Sequence, residues 1–292
     1  MQLDMLETIG LRSVTPFRRQ LLKWIGNKQR FAHEIVSCFP RHFGAFYEPF
    51  LGSGAVLATL AHGPSFGSDI FEPLVEIWKT LRHDPEKLKS WYGERCRAMA
   101  SGNKQAQYER IKAAYNSKPN AADLLFLCRA CYGGVVRFRQ ADGYMSTPCG
   151  IHSPISPEAF SRRVDEWNRR VKHAEFACMD YHEAMQMAGP GDMIYCDPPY
   201  CHSQGILYGA QSFSIEDLFE EIAECKSRGV FVALSINGKK RSGQHTCELP
   251  IPPGLFERES FVNCGRSMLK RFQMNGRTLE GEVVADRLLL TY

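Results

Sequence analysis

The fold of this chain is decided by residues 45–70, which read AFYEPFLGSGAVLATLAHGPSFGSDI. The apolar start of this stretch predicts a short buried strand, and the strand ends at a turn that contains Gly52 and Gly54. A helix-forming run begins at Ala55, and a second predicted strand follows and ends near Asp69. Strand, helix and strand in this order form a βαβ unit, the repeating element of a parallel sheet.

The alternation of strands and helices is interrupted once along the chain. Strands are predicted at 174–179, 192–196, 230–236, 269–274 and 282–291, and a helix is predicted before the first strand, at 28–39. Between these parts the pattern is helical, at 87–99, 105–116 and 123–131, and Asp142-Gly143 then predicts a hairpin turn. We therefore expect one α/β domain, residues 1–79 and 171–292, interrupted by an insertion at 80–170.

The composition is that of a globular protein: 44% of the residues are hydrophobic, 23% are charged, and no apolar stretch is long enough to span a membrane. The first residues lack the basic and apolar regions of a secretory signal, so we expect a cytoplasmic protein. Eleven cysteines include one pair at metal-ligand spacing, Cys128 and Cys131, without a second such pair. Reduced thiols and no metal site are therefore expected.

Positive charge is concentrated in the insertion. The whole chain has a net charge of +4, whereas residues 80–170 contain 16 Lys and Arg against 9 Asp and Glu. A basic segment within a near-neutral body is typical of a site for a polyanion such as nucleic acid, although solvated helices show the same clustering. In the predicted hairpin Arg137 and Arg139 flank Phe138, and arginine is the residue that most often reads guanine.

The tetrapeptide Asp197-Pro198-Pro199-Tyr200 follows an apolar strand that ends at Cys196. An acid at the carboxyl end of a parallel strand lies where such sheets bind ligands. The two prolines stiffen the loop and remove two backbone N–H donors. The remaining carbonyl and carboxylate oxygens can accept the N–H groups of a planar amine, which the ring of Tyr200 can stack on. The alternative is a proline-rich turn without a chemical role.

The other candidate segments are weaker signals. Leu57 stands at the position of the third glycine of a dinucleotide fingerprint, and no Gly-Lys-Ser/Thr phosphate loop follows the glycine turn. Asp69 ends the second strand, where a carboxylate can accept hydrogen bonds from ribose hydroxyls. LKWIGNK at 22–28 places Trp24 between two lysines, which suits an adenine ring and a carboxylate but also an ordinary turn before a helix.

Taken in order, these segments resemble the Dam-type (alpha-group) DNA adenine-N6 methyltransferases. The similarity spans nearly the whole chain and includes KWIGNK (23–28), YEPFLGSGAV (47–56), SDIFEPL (68–74), DPPY (197–200) and NGRTLEGEVVADRLLLTY (275–292). It implies a Rossmann-like S-adenosylmethionine-dependent methyltransferase fold, with a mixed, mostly parallel seven-stranded sheet and a target-recognition insertion. The family pattern KWAGGK is changed here at Ile25 and Asn27; asparagine tolerates positive φ, so we expect Asn27 to preserve the turn.

The resemblance also implies roles for individual residues. The residues expected to bind S-adenosyl-L-methionine are Trp24, Lys28, Glu48, Pro49, Phe50, Gly52, Gly54, Asp69, Ile70, Asp180, Tyr181 and Asp197. The expected catalytic residues are Asp197, Pro198, Pro199 and Tyr200, which receive a target base flipped out of the duplex. The expected DNA contacts are Arg129, Arg137, Arg139, Lys239, Lys240 and Arg241, and the last three could equally form a solvated turn.

These observations predict a cytoplasmic enzyme, encoded by a bacterium or phage, that methylates adenine N6 in double-stranded DNA. It is expected to act as a monomer, with or without a separate restriction endonuclease. The alternatives are N4-cytosine methylation, methylation of RNA or of a protein glutamine, and a non-catalytic DNA-binding protein on the same scaffold. Members that recognise GATC usually carry asparagines near the hairpin, where this chain has Gly133 and Arg139, so the recognised sequence stays open.

Overall fold

The computed structural model describes residues 12–139, 141–199, 213–237, 249–266 and 283–292. Its strands form one seven-stranded sheet in the order β3-β2-β1-β4-β5-β7-β6. They are β1 (Phe46–Glu48), β2 (Ser65–Asp69), β3 (Ala174–Cys178), β4 (Met193–Cys196), β5 (Phe231–Asn237), β6 (Arg258–Arg266) and β7 (Val283–Leu290). Neighbours from β3 to β5 are parallel, and β7 is antiparallel to β5 and β6. The predicted mixed, mostly parallel sheet is confirmed.

Helices cover both faces of the sheet. Those in the described ranges are α1 (Ala32–Ser37), α2 (Ala55–Leu60), α3 (Glu72–His83), α4 (Pro85–Ala100), α5 (Lys104–Ser117), α6 (Ala121–Ala130), α7 (Pro157–Arg170), α8 (Tyr181–Gln186) and α9 (Ile215–Ser227). Helices α8 and α9 form one apolar cluster with the strands, and α1 to α7 contribute to a second, larger cluster. Two covered faces are typical of doubly wound α/β folds. None of these helices combines the length and hydrophobicity that a membrane span requires.

The helical segment between β2 and β3 is built from helices that begin at side-chain caps. The residues Asp84, Asn103, Asn120 and Ser156 each accept a hydrogen bond from the backbone N–H three residues later, at the starts of α4, α5, α6 and α7. A cap of this kind typically stabilises a helix by about 1 kcal/mol, which explains where each helix begins. Trp167 of α7 packs on Trp78 of α3 with 5.4 Å between ring centroids, so the helical segment shares a core with the sheet.

The predicted Asp-Gly hairpin is confirmed after α6. The Arg139 N–H donates a hydrogen bond to the Tyr144 carbonyl, and the Ser146 N–H donates to the Arg137 carbonyl, each at 2.9 Å. Gly143 has a φ of +66°, a conformation that side chains disfavour. The glycine therefore closes the hairpin that carries both arginines.

Two elements differ from the sequence-based expectation. Strand β6 was not predicted, because an edge strand contacts one neighbouring strand and its sequence RESFVNCGR contains few apolar residues. The strand predicted at 269–274 lies outside the described residues. The helix predicted at 28–39 is shorter, since α1 begins at Ala32 after a turn in which the Lys28 carbonyl accepts the first helical hydrogen bond.

Candidate active site

An open pocket with about 1000 Å³ of empty space lies at the carboxyl ends of β1, β2 and β4. Open parallel sheets bind their ligands at this edge. Eleven of the twelve residues predicted to bind a cofactor lie in the pocket wall: Trp24, Lys28, Glu48, Pro49, Phe50, Gly52, Asp69, Ile70, Asp180, Tyr181 and Asp197. The twelfth, Gly54, lies in the same turn as Gly52 but does not line the pocket.

The turn between β1 and α2 has a backbone that glycine adopts most readily. The angle φ is +44° at Gly52 and +60° at Gly54. The Gly52 carbonyl accepts a hydrogen bond from Nε1 of Trp78 at 3.1 Å, and a Cβ at Gly54 would lie 3.2 Å from the Trp78 ring. Trp78 therefore supports the turn from behind, and Gly54 permits this close packing.

Asp69, the last residue of β2, is bound to the glycine turn. Its carboxylate accepts hydrogen bonds from the backbone N–H groups of Gly52 and Phe71, each at 3.1 Å. Burial raises the pKa of Asp69 above its usual value, whereas the backbone donors act in the opposite direction. The carboxylate thus holds the shape of the turn while it lies in the pocket wall.

Asp197 follows β4 and lies in the same pocket wall as Gly52. Its Oδ1 is 3.1 Å from Nζ of Lys28, and the two side chains are 17% and 6% exposed. Nearby, Glu48 at the end of β1 accepts a hydrogen bond from the Leu57 N–H at 2.7 Å. Burial raises the pKa of Glu48 well above 4.5, and the charge of Asp197 raises it further. Two carboxyl groups and one ammonium group therefore share this wall.

Aromatic rings form much of the remaining wall. Phe50 stacks on Tyr181 with 5.1 Å between ring centroids and meets Phe213 edge-on at 5.9 Å. The ring centroids of Trp24 and Phe71 are 6.2 Å apart. Such rings provide flat apolar surface for a planar ligand, while the acidic side chains provide hydrogen-bond acceptors.

Seven further wall residues were missed by the sequence analysis: Ile25, Gly26, Leu51, Ser53, Ala55, Phe71 and Phe213. Six of them lie inside the quoted motifs, next to predicted residues, so the motifs themselves contained the signal. Phe213 belongs to no motif. Its packing on Phe50 and Tyr181 brings it to the pocket.

Asn27 preserves the turn, as expected, but it does so without a positive φ. Positive φ in this motif occurs at Gly26, where it is +72°. Asn27 instead stabilises the turn through its side chain: Oδ1 accepts a hydrogen bond from the Gln29 N–H at 2.7 Å, and Nδ2 donates to the Leu22 carbonyl at 3.3 Å. Asparagine commonly bonds to the backbone two residues later in this way.

The other predicted site residues are placed as follows. Pro199 lies in the pocket wall, and Pro198 is buried beside it. Tyr200 lies outside the described residues. Asp180 caps α8 by accepting a hydrogen bond from the His182 N–H at 2.9 Å, and it also lines the pocket.

Residues 24–245 match the family described as D12 class N6 adenine-specific DNA methyltransferase. This stretch is well over half of the chain and contains the glycine turn, Asp69 and Asp197. The chain belongs to this family.

Individual relatives of this chain are matched over different shares of their own length. The DNA N-6-adenine-methyltransferase of Escherichia phage P1 is 28% identical over 270 residues, which are 87% of this chain and 35% of the phage protein. The retron Ec67 DNA adenine methylase of Escherichia coli is 30% identical over 62% of this chain and 63% of the relative. The DNA adenine methylase of Vibrio cholerae is 26% identical over 75% of this chain and 81% of the relative. The chain thus spans less than two thirds of the first two proteins.

In this D12-class chain the prediction of a DNA contact at Arg129 is wrong. Arg129 of α6 is 6% exposed, and its Nη1 donates hydrogen bonds to the carbonyls of Gln20 at 3.2 Å and Leu21 at 2.6 Å. Its guanidinium also lies 5.9 Å from the Phe160 ring centroid. A guanidinium enclosed in this way joins the N-terminal segment to the insertion, where a phosphate or base cannot reach it.

The hairpin arginines lie in a different environment. Arg139 is exposed, and its guanidinium lies 4.2 Å from the Tyr144 ring centroid, whereas Arg137 is partly buried. Between them, Phe138 packs edge-on against Phe71 of the pocket wall with 5.5 Å between centroids. The hairpin is therefore in direct contact with the pocket. The predicted contacts Lys239, Lys240 and Arg241 lie outside the described residues.

Proposed function

We propose that this chain transfers a methyl group from S-adenosyl-L-methionine to N6 of adenine in double-stranded DNA. The observation that carries the proposal is that Asp197 and the glycine turn at Gly52 line one pocket of a D12-class chain. The carboxylate is a hydrogen-bond acceptor for an amine, and the turn is a surface that a second ligand can approach closely. Methyl transfer to an amine requires an acceptor that holds the amine and a surface that holds the methyl donor next to it.

The pocket residues fit S-adenosyl-L-methionine. A Cβ at Gly52 would lie 3.4 Å from the Trp24 ring, so the glycine leaves the space beside that ring open. Ile70, which is 56% exposed, offers an apolar face to the adenine, and Asp69 offers acceptors to the ribose hydroxyls. Glu48 and Lys28 offer polar groups to the methionine moiety. When bound, the cofactor supplies an electrophilic methyl group.

The protein groups that we assign to catalysis act on the adenine amine. This amine is a poor nucleophile because its lone pair is delocalised into the ring. The Asp197 carboxylate and the Pro198 carbonyl accept its two N–H groups and favour a pyramidal nitrogen, and Tyr200 holds the base by stacking. The chain contributes orientation and electrostatics, and correct orientation alone can lower a barrier by about 7–11 kcal/mol.

The target base must leave the duplex before this pocket can hold its amine, at a cost of a few kcal/mol. We assign target recognition to residues 80–170 and catalysis to residues 1–79 and 171–292. The excess of basic residues in the insertion and the hairpin beside the pocket support this division.

Arg139→Ala is expected to weaken binding to the recognised sequence by about 1–3 kcal/mol, because we assign to Arg139 a contact with a base edge. Its side chain is 53% exposed and pairs with the equally accessible Asp142 at 2.7 Å, a partner that a base edge can replace. The measurement is fluorescence anisotropy with a duplex that contains the recognised site and with one that lacks it. Arg169→Ala, which removes an exposed arginine in the last turn of α7, is the matched control and should leave the ratio of the two affinities unchanged. Equal losses on both duplexes would contradict a base contact by Arg139.

The activity is tested by incubating the protein with DNA and S-adenosylmethionine that carries a tritiated methyl group. After digestion to nucleosides, we expect the label in N6-methyladenine. Label in N4-methylcytosine would show that the proposed base is wrong. Absence of label from DNA would favour the non-catalytic DNA-binding alternative.

A further inference from the structure

The charges in the pocket wall are unevenly distributed. Among the described residues that line the pocket, Lys28 is the only basic one, alongside four carboxyl groups, Glu48, Asp69, Asp180 and Asp197. Its ammonium group lies 3.1 Å from Asp197 Oδ1 and 5.9 Å from the Phe31 ring centroid. With a side chain that is 6% exposed, Lys28 is nearly removed from water. A buried charge of this kind is retained in proteins when an opposite charge lies beside it.

Asp197 and Glu48 have different surroundings although they interact. Asp197 is in contact with the charged Lys28, whereas the Glu48 carboxyl accepts a hydrogen bond from the uncharged Leu57 N–H. Burial raises the pKa of Glu48 well above its usual value, and the charge on Asp197 adds to this effect. When two carboxyl groups share a site of low polarity, they do not ionise equally, and their surroundings decide which one keeps the proton.

Among the described residues that line the pocket or adjoin Asp197, the other titratable groups have surroundings of their own. Burial, with smaller contributions from neighbouring thiol and carboxyl groups, raises the pKa of Cys196 well above 9.0, so this thiol stays uncharged. Asp69 is directed to the backbone of Gly52 and Phe71, and Asp180 accepts the His182 N–H. Tyr181 stacks on Phe50.

We propose that Lys28 is a positioning residue for methyl transfer, whose ammonium group keeps the Asp197 carboxylate ionised and oriented while Glu48 holds the proton. This inference rests on the proposed function, because it gives Asp197 the task of accepting the adenine amine. An ionised carboxylate accepts hydrogen bonds at both oxygens, whereas a protonated one also carries a donor that opposes the amine N–H. Lys28 therefore determines the pH range in which the pocket can receive its substrate.

The kinetic test compares Lys28→Met, Lys28→Gln and Lys28→Arg with the wild type by single-turnover methyl transfer across pH 5–9. Removal of the ammonium group should raise the pKa of Asp197, so the pH below which the rate falls should rise by about 1–2 units. This is the usual effect of an opposite charge at this distance. The rate should then fall at least about tenfold at low pH and recover at high pH, and Lys28→Arg should restore the wild-type profile. A loss that is equal at every pH would show a merely structural role and overturn the proposal.

Lys112→Met is the matched control. Lys112 of α5 has a side chain that is 8% exposed and pairs with Glu109 at 2.7 Å, so it resembles Lys28 in burial and pairing but lies outside the pocket. Its replacement should leave unchanged the pH below which the rate of methyl transfer falls. A shift as large as that of Lys28→Met would overturn the assignment, because it would show that any buried lysine has this effect.

A second measurement needs no substrate. Aspartate labelled with ¹³C at the carboxyl carbon is titrated by NMR, and Asp197→Asn identifies the Asp197 resonance. The midpoint of the Asp197 titration should rise by about 1–2 pH units in Lys28→Met and Lys28→Gln. It should stay unchanged in Glu48→Gln, because the proton already resides on Glu48. An unchanged midpoint in the neutral Lys28 variants, or a lower one in Glu48→Gln, overturns the proposal. This readout decides the effect of Lys28 even if the wild type forms no N6-methyladenine, an outcome that refutes the proposed function separately.

Discussion

Asp197→Asn is expected to lower the rate of methyl transfer by about 10³-fold, while the affinity for S-adenosylmethionine changes by less than about threefold. The substitution preserves the shape of the side chain but replaces an acceptor oxygen by an NH₂ group, which opposes the N–H of the target amine. Loss of one well-placed electrostatic partner commonly reduces a rate by about 10²–10³, and here the replacement adds a repulsive contact. The rate is measured by rapid-quench single turnover, and the affinity by calorimetry.

Asp192→Asn is the matched control for this prediction. Asp192 precedes the other end of β4 and accepts hydrogen bonds from the Ala45 and Gly189 N–H groups at 2.7 and 2.9 Å, outside the pocket. Its replacement should lower stability and leave the rate of the folded enzyme within a few-fold of the wild type. Wild-type activity in Asp197→Asn would refute the role that we assign to this carboxylate.

The ion pair with Lys28 adds a stability effect that can be separated from the catalytic one. Removal of the carboxylate that lies 3.1 Å from a nearly buried ammonium group should destabilise the fold, by up to about 3–5 kcal/mol. In the double variant Lys28→Met/Asp197→Asn no buried ammonium group remains, so the melting temperature should recover towards that of the wild type. The activity should not recover, because the acceptor is still absent.

Asp69→Ala is expected to weaken S-adenosylmethionine binding by about 30- to 100-fold. The carboxylate accepts charge-assisted hydrogen bonds from the N–H groups of Gly52 and Phe71, so its loss leaves the glycine turn less fixed and also removes the proposed ribose acceptor. Hydrogen bonds to charged groups typically contribute about 1.5–3 kcal/mol, which corresponds to about 10- to 150-fold in affinity and includes the expected loss. The dissociation constant is measured by calorimetry in the absence of DNA.

Asp84→Ala separates this effect from a general loss of stability. Asp84 also accepts a hydrogen bond from a backbone N–H, that of Lys87 at 3.0 Å, but it caps α4 and does not line the pocket. Its removal should cost about 1 kcal/mol of stability and leave the dissociation constant unchanged. If Asp69→Ala binds S-adenosylmethionine as tightly as the wild type, Asp69 does not belong to the cofactor site.

The sequence by itself determined the parts of this protein whose backbone conformation depends on residues a few positions apart. The βαβ unit, the glycine turn and the Asp142-Gly143 hairpin follow from residues a few positions apart, because strand burial, helix caps and positive φ are local properties. The order of the motifs along the chain was sufficient to indicate the family, and the match over residues 24–245 confirmed it. An edge strand with few apolar residues was missed, and one helix boundary was predicted too early.

The tertiary structure alone decided which charged groups meet. Lys28 and Asp197 lie in separate motifs, and neither motif indicates that they form an ion pair in one pocket wall. The same holds for Arg129, which is basic and lies in a basic segment, yet is enclosed by the carbonyls of Gln20 and Leu21. Burial and electrostatic coupling depend on residues that are distant in the chain, so they are set by how the helices and strands pack together.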